Sequence, residues 1–282
     1  MIPPVVTADW LVDHPTAVLA DVRWYLDGRS GRDAHASGHL AGAVFVDLDT
    51  ALAGPPSPEA GRHPLPAPQA FADAMAAAGI GDESVVVAYD DAGGASAARL
   101  VWLLRMLGVD AALLDGGITH WAGPVEEGPV TPASASFTAK PWPPEALATI
   151  DDAATAPLVV DARAPERYRG ETEPVDPRAG HVPGAINIPF AGNLVDGQFR
   201  SPDELRARFA EHGITDAAGV VVYCGSGVTA SHDLVALECA GLGRARLYPG
   251  SWSQWSNTDR PAATGPRPGS KVAIDPTGSI SG

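Results

Sequence analysis

Short apolar runs alternate along the chain with segments whose apolar positions return every three or four residues. That is the pattern of α/β units built around a largely parallel sheet. Val18-Leu19-Ala20, Val85 to Ala88 and Ala111 to Leu114 read as buried strands, and Phe71, Ala74, Met75 and Ala78 mark one face of an amphipathic helix between them. Further on, Ser201-Pro202-Asp203-Glu204 opens a helix with a capping serine, proline at the first helical position and a glutamate three residues after the serine. Strands are predicted at Leu158 to Asp161, Val220 to Tyr223 and Ala245 to Leu247, with a helix from about Ala230 to Ala240.

The pattern occurs twice. Val85-Val86-Val87-Ala88-Tyr89-Asp90 returns 134 positions later as Gly219-Val220-Val221-Val222-Tyr223-Cys224. At the same offset Leu113-Leu114-Asp115-Gly116 meets Leu247-Tyr248-Pro249-Gly250, and Trp121 meets Trp255. Asp21-Val22-Arg23 resembles Asp161-Ala162-Arg163, and His39-Leu40-Ala41-Gly42-Ala43 resembles His181-Val182-Pro183-Gly184-Ala185, at offsets of 140 and 142. The repeat is far longer than a solenoid unit and reads as two tandem domains. We expect an N-terminal domain at 5–123, a Gly/Pro/Ser/Thr-rich linker at 124–144 on which Phe137 and Trp142 pack against a domain, a C-terminal domain at 145–260, and a poorly ordered tail at 261–282.

The length of 282 residues has room for both domains. A net charge of −15 argues against a nucleic-acid binder, which needs a basic face, and no apolar stretch approaches the about 18 residues of a membrane span. The N-terminus lacks a basic region followed by an apolar one, and the two cysteines form no disulfide scaffold; the reading is cytoplasmic. Neither metal-ligand spacings nor phosphate-binding glycine loops occur, so no metal and no cofactor are expected.

Cys224 is the candidate nucleophile. It follows a strand and precedes Gly225-Ser226-Gly227-Val228-Thr229 and a helix, so loop N–H groups and the helix N-terminus can face an anionic sulfur. Cys239, within the predicted helix, reads as a small space-filling residue. Arg163, Arg167, Arg169 and Arg178 lie within sixteen residues and form a candidate anion site, with Glu166, Glu171 and Glu173 as competing partners. His39 and His181 occupy matching positions in both repeats, which favours a structural role.

Together, Asp161-Ala162-Arg163, His181-Val182-Pro183-Gly184-Ala185, Cys224-Gly225-Ser226-Gly227-Val228-Thr229-Ala230 and the duplication resemble the tandem-domain rhodanese family of sulfurtransferases over about residues 5–260. The resemblance implies two α/β rhodanese domains, each a mostly parallel sheet flanked by helices, with only the second catalytic. Asp90 stands where Cys224 stands in the repeat, and a carboxylate cannot carry sulfur. The loop is similar to that of the 3-mercaptopyruvate branch, since Gly225 and Ser226 replace the basic pair common in thiosulfate sulfurtransferases. The related Cys-x5-Arg phosphatases are disfavoured because Ala230 stands where their arginine would be.

By this resemblance Cys224, Ser226, His63 and Asp49 are expected to be catalytic, and Arg167, Arg178, Gly225, Gly227, Val228 and Thr229 to bind substrate. The expected partners are a small anionic sulfur donor and a thiol acceptor such as a thioredoxin-like protein, or cyanide. Two other readings stay open: a thiosulfate:cyanide sulfurtransferase, and a non-catalytic module that relays a persulfide to a partner.

Overall fold

The computed structural model describes residues 1–271 of the chain. Contacts divide it into two compact units. The first comprises Met1–Gly54, Leu65–Pro143 and Leu194–Ser201; the second comprises Pro55–Pro64, Pro144–Asn193 and the described residues from Pro202 to Lys271.

In the first unit, β1 (Val5–Val6), β2 (Val18–Asp21), β3 (Val44–Phe45), β4 (Val85–Tyr89) and β5 (Asp110–Leu114) form one sheet in the order β1-β5-β4-β2-β3. All four pairings are parallel. In the second, β6 (Leu158–Asp161), β7 (Ile186–Asn187), β8 (Val220–Tyr223) and β9 (Arg246–Leu247) form a parallel sheet in the order β9-β8-β6-β7. This is the α/β architecture that the hydrophobic pattern predicts. Helices Pro68–Ala77, Pro202–Glu211 and Ala230–Cys239 occur at the three predicted places.

The repeat is visible in the cores. Val87, Tyr89 and Leu114 are buried in the first, and their counterparts Val221, Tyr223 and Tyr248 are buried in the second. The Asp-x-Arg elements fold identically. Arg23 Nε lies 3.0 Å from both oxygens of Asp21 and Arg163 Nε 3.1 Å from both oxygens of Asp161, while each Nη2 also donates to a carbonyl, of Gly38 and of Gly180. Arg163 is therefore a buried structural cation, held by a bidentate partner and a carbonyl. His39 and His181 are structural as well: each Nδ1 donates to a backbone carbonyl, of His35 at 2.8 Å and of Tyr168 at 2.7 Å, and each ring stacks on that residue's ring.

The structure departs from the expected boundaries in three places. Residues of the expected linker belong to the first unit, where Val125–Glu126 pairs with His39–Leu40, and Phe137 and Trp142 pack edge-on against Phe71. The near part of the expected tail is tied down. His181 and Ala263 exchange backbone hydrogen bonds, Gly184 N–H donates to Pro268 O, and Lys271 Nζ donates to the carbonyls of Ala156 and Pro157. Residues 272–282 lie outside the described part. Finally, two short segments leave the unit of their sequence neighbours: 55–64 packs into the second unit and 194–201 into the first. No hydrophobic period encodes such an exchange, because it depends on which surface a loop covers.

Helix Ala230–Cys239 is buried on nearly every side, and with it His232 and Asp233. Burial pushes the Asp233 carboxyl up to about 7, against the pull of an Asn193 Nδ2 donor at 2.6 Å. Its Oδ2 has no hydrogen-bond partner among the described residues. A folded-state value above the unfolded one means that the proton is bound more tightly in the fold. Its contribution to stability is complete below the unfolded carboxylate range and is lost as pH rises through about 7. Asp233→Asn, which keeps the acceptor and removes the charge, is expected to be more stable than wild type at pH 8 by on the order of 2 to 4 kcal/mol. The advantage shrinks as the pH is lowered to 4; denaturant titrations at the two pH values check it.

Candidate active site

Strand β8 is wholly buried and ends at Tyr223, which delivers Cys224 to the sheet's carboxyl end, where α/β proteins place their sites. Only 2% of Cys224 is exposed. The loop turns back at Gly227 with φ +81°, a left-handed conformation suited to glycine, and its N–H points at Cys224 Sγ from 3.1 Å. The helix at Ala230 follows.

The other side of the loop is laced to helix Ser251–Trp255. Cys224 O accepts from Trp252 N–H at 3.0 Å, Gly225 O accepts from Ser253 N–H at 2.8 Å, and Cys224 N–H donates to Ser251 Oγ at 3.2 Å. Ser251 has φ +53°, rare for a residue with a side chain, and its hydroxyl also donates to Tyr248 O. The first unit repeats this scaffold: Ile118 N–H donates to Asp90 O, and Gly117 has φ +55°. Sequence reasoning missed Ser251, although the fixed offset of 134 that pairs Trp121 with Trp255 also pairs Gly117 with Ser251.

The exchanged segment 55–64 completes the site from within the same unit. Ser57 and Gly61 close a small turn by mutual backbone hydrogen bonds. Gly61, at φ +88°, lies so close to the Gly250–Ser253 turn that an added Cβ would stand 2.6 Å from Gly250 O. Arg62 N–H donates to Ser253 Oγ at 3.1 Å. This anchoring sets His63 Nδ1 2.7 Å from Ser226 Oγ, both side chains being buried. Two residues 163 positions apart in sequence thus form a hydroxyl–imidazole pair two residues beyond the cysteine.

Two guanidinium groups border the loop. The Cβ position of Gly225 is 3.1 Å from Arg62 Nη2 and 3.4 Å from Arg167 Nη1, so the absent side chain leaves both groups access to the backbone beside Cys224. Arg167 Nη2 binds Glu173 at 2.6 Å and Asp176 at 3.4 Å, and Asp176 also pairs with Arg62. Burial pushes the Asp176 carboxyl above its usual range, against the pull of Arg62 and Arg167.

The remaining predicted positions are held as follows. Arg178, expected to hold substrate, donates through Nε, Nη1 and Nη2 to the carbonyls of Ser256, Arg260 and Trp255, each at 2.9 Å. In this arrangement its fork closes the C-terminal end of helix Ser251–Trp255, where a cation suits the helix dipole and the orphan carbonyls. Asp49 lies in the first unit and accepts from Trp24 Nε1 at 3.0 Å. Val228 and Thr229 lead into helix Ala230–Cys239, their carbonyls accepting from Ser231 and His232. Arg169 pairs with Glu171 on the surface.

The rhodanese-like domain family matches residues 7–124 and 143–258. A Mycobacterium tuberculosis protein, SseB, named for thiosulfate sulfurtransferase, is 41% identical over 262 residues, covering 89% of this chain and 92% of its own. The 3-mercaptopyruvate sulfurtransferase of Escherichia coli is 35% identical over 267 residues, covering 89% and 94%. The crystal structure of Escherichia coli SseA, described with the 3-mercaptopyruvate sulfotransferases, shares the fold with a TM-score of 0.78 at 34% identity, covering 89% of this chain and 99% of its own. Two parallel α/β units, a cysteine loop at the end of a central strand in one of them and these matches over nearly the whole described chain place the protein in the rhodanese family.

Proposed function

We propose that the protein is a sulfurtransferase that takes sulfane sulfur from 3-mercaptopyruvate onto Cys224 and passes it to a thiol acceptor or to cyanide. The observation that carries this reading is the buried Cys224 sulfur under the Gly227 N–H, with the Ser226–His63 pair on the same loop. The Cys224 thiolate attacks the donor's sulfur, and the carbon–sulfur bond breaks with its electron pair leaving on carbon as the enolate of pyruvate. The enolate takes a proton, and a persulfide remains on Cys224. An acceptor thiolate or cyanide then attacks the outer sulfur and releases the Cys224 thiolate.

The protein's groups serve these steps in distinct ways. A donor N–H at the sulfur stabilises negative charge on it, and guanidinium groups near Gly225 suit the donor's carboxylate. A hydroxyl hydrogen-bonded to an imidazole can polarise the substrate carbonyl or move a proton. A thiolate nucleophile works in a reducing compartment, and the cytoplasm is the proposed place of action. Two half-reactions sharing a covalent intermediate give parallel lines in double-reciprocal plots.

Thiosulfate is the second donor to consider, favoured by the name of the Mycobacterium tuberculosis relative. A loop with Gly225 and Ser226 rather than basic side chains after Cys224 favours 3-mercaptopyruvate. We expect kcat/KM for 3-mercaptopyruvate to exceed that for thiosulfate by at least about tenfold. A preference for thiosulfate overturns the donor while leaving the Cys224 chemistry intact. Stable capture of sulfur without turnover on either donor would mark a carrier module instead.

A further inference from the structure

We propose that Arg62, together with Arg167, forms the clamp that binds the donor's anionic group, and that Asp176 occupies this clamp until the donor displaces it. The inference deepens the sulfurtransferase reading above and rests on it. Three observations carry it.

The first is position. Arg62 Nη2 and Arg167 Nη1 stand 3.1 and 3.4 Å from the place where a Cβ of Gly225 would be, so two forks from different segments converge on the residue after Cys224. Arg62 is held there by its own backbone bond to Ser253 Oγ and by the close packing of Gly61 on Gly250. The second is the carboxylate between them. Asp176 is paired with both arginines, and only 3% of its side chain is exposed, whereas 29% of Arg62 and 20% of Arg167 are. One carboxylate shared by two guanidinium groups shows what that space accepts. Burial also pushes this carboxyl above its usual range, so its charge is held weakly for an acid next to two cations. The third is unspent capacity: Arg167 Nε is buried and has no hydrogen-bond partner among the described residues. Arg178, which the family resemblance offers as the second arginine, is committed to three carbonyls. Arg62 is the cation left in place to supply the second fork.

The test compares Arg62→Gln and Asp176→Asn with wild type on three donors: 3-mercaptopyruvate, its uncharged methyl ester and thiosulfate. For Arg62→Gln we expect KM for the anionic donors to rise about tenfold, with kcat within about twofold and the methyl ester unaffected. Asp176→Asn is expected to move KM for the anionic donors the opposite way, downward, because it removes the competing carboxylate. A merely structural ion pair would make both variants worse on all three donors, and that result overturns the clamp. So does an unchanged KM for anionic donors in Arg62→Gln. Failure of the donor assignment is separate: it appears in the wild type as a preference for thiosulfate, and the arginine variant still reads the clamp on thiosulfate.

Discussion

Cys224→Ser is expected to lose sulfur transfer by at least about a thousandfold and no longer to gain the mass of one sulfur atom after exposure to donor. The change replaces one atom at the end of β8, where the side chain is already 2% exposed and the backbone is fixed by Ser251, Trp252 and Ser253. The fold has little reason to respond, so lost activity reports the chemistry. A serine hydroxyl keeps its proton at neutral pH and forms no persulfide analogue, so neither half-reaction proceeds. Cys239→Ser serves as the control. That residue closes helix Ala230–Cys239 and is only partly buried, and its variant should turn over within about twofold of wild type. Intact-mass spectra of both variants after donor treatment decide the matter: sulfur retained by Cys224→Ser would sink the assignment.

Asp90→Ala is expected to destabilise the protein by about 3 to 5 kcal/mol although it lies in the unit without Cys224. Asp90 is the counterpart of Cys224, and its carboxylate accepts from the N–H groups of Ala92, Gly94, Ser96 and Ala97 and from the Ser96 hydroxyl, at 2.8 to 3.0 Å. The loop before helix Ala97–Met106 is an anion cradle filled by its own side chain. Alanine leaves four backbone N–H donors and the Ser96 hydroxyl facing an empty space; asparagine sets an amide N–H₂ against some of them and should cost nearly as much. The urea midpoint of either variant, with sulfur-transfer activity measured in parallel below the transition, reads the effect, and a midpoint equal to wild type would falsify the self-filled cradle. The comparison also explains the division of labour between the repeats. The Asp90 side chain fills the donor cradle of one loop, whereas the other loop presents Cys224 with the Gly227 N–H aimed at its sulfur.

How much of this could be read beforehand depended on the distance over which each feature acts. The central strands were legible because Val85-Val86-Val87 and Val220-Val221-Val222 are apolar runs that only a sheet covered on both faces can bury. The lack of a thiol in the first repeat was legible because Asp90 stands where Cys224 stands in the second. The structural histidines were legible because the repeat that lacks the cysteine keeps one too. The partners of Arg178 were not legible: they are the backbone carbonyls of Trp255, Ser256 and Arg260, and residue types do not announce where a helix leaves its carbonyls unpaired. Glu173 was readable only as a competing partner of the arginines and Asp176 carried no signal at all, because their burial among Arg62, Arg163 and Arg167 depends on packing.

Arg62 and His63 show the boundary most clearly. By sequence they belong to the first repeat; in the fold their segment packs with the second, where a turn closed by Ser57 and Gly61 and a glycine pressed against Gly250 put them beside Ser226 and Gly225. The sequence by itself determined the two α/β repeats, the loop that presents Cys224 and the replacement of its counterpart by Asp90, because these follow from local periodicity and from the chemistry of single side chains. Which arginines face the cysteine loop, and which imidazole meets Ser226, was decided only by the tertiary structure. Those meetings depend on the route of an irregular segment whose path is set by close packing and backbone hydrogen bonds, neither of which leaves a periodic trace in the residue order.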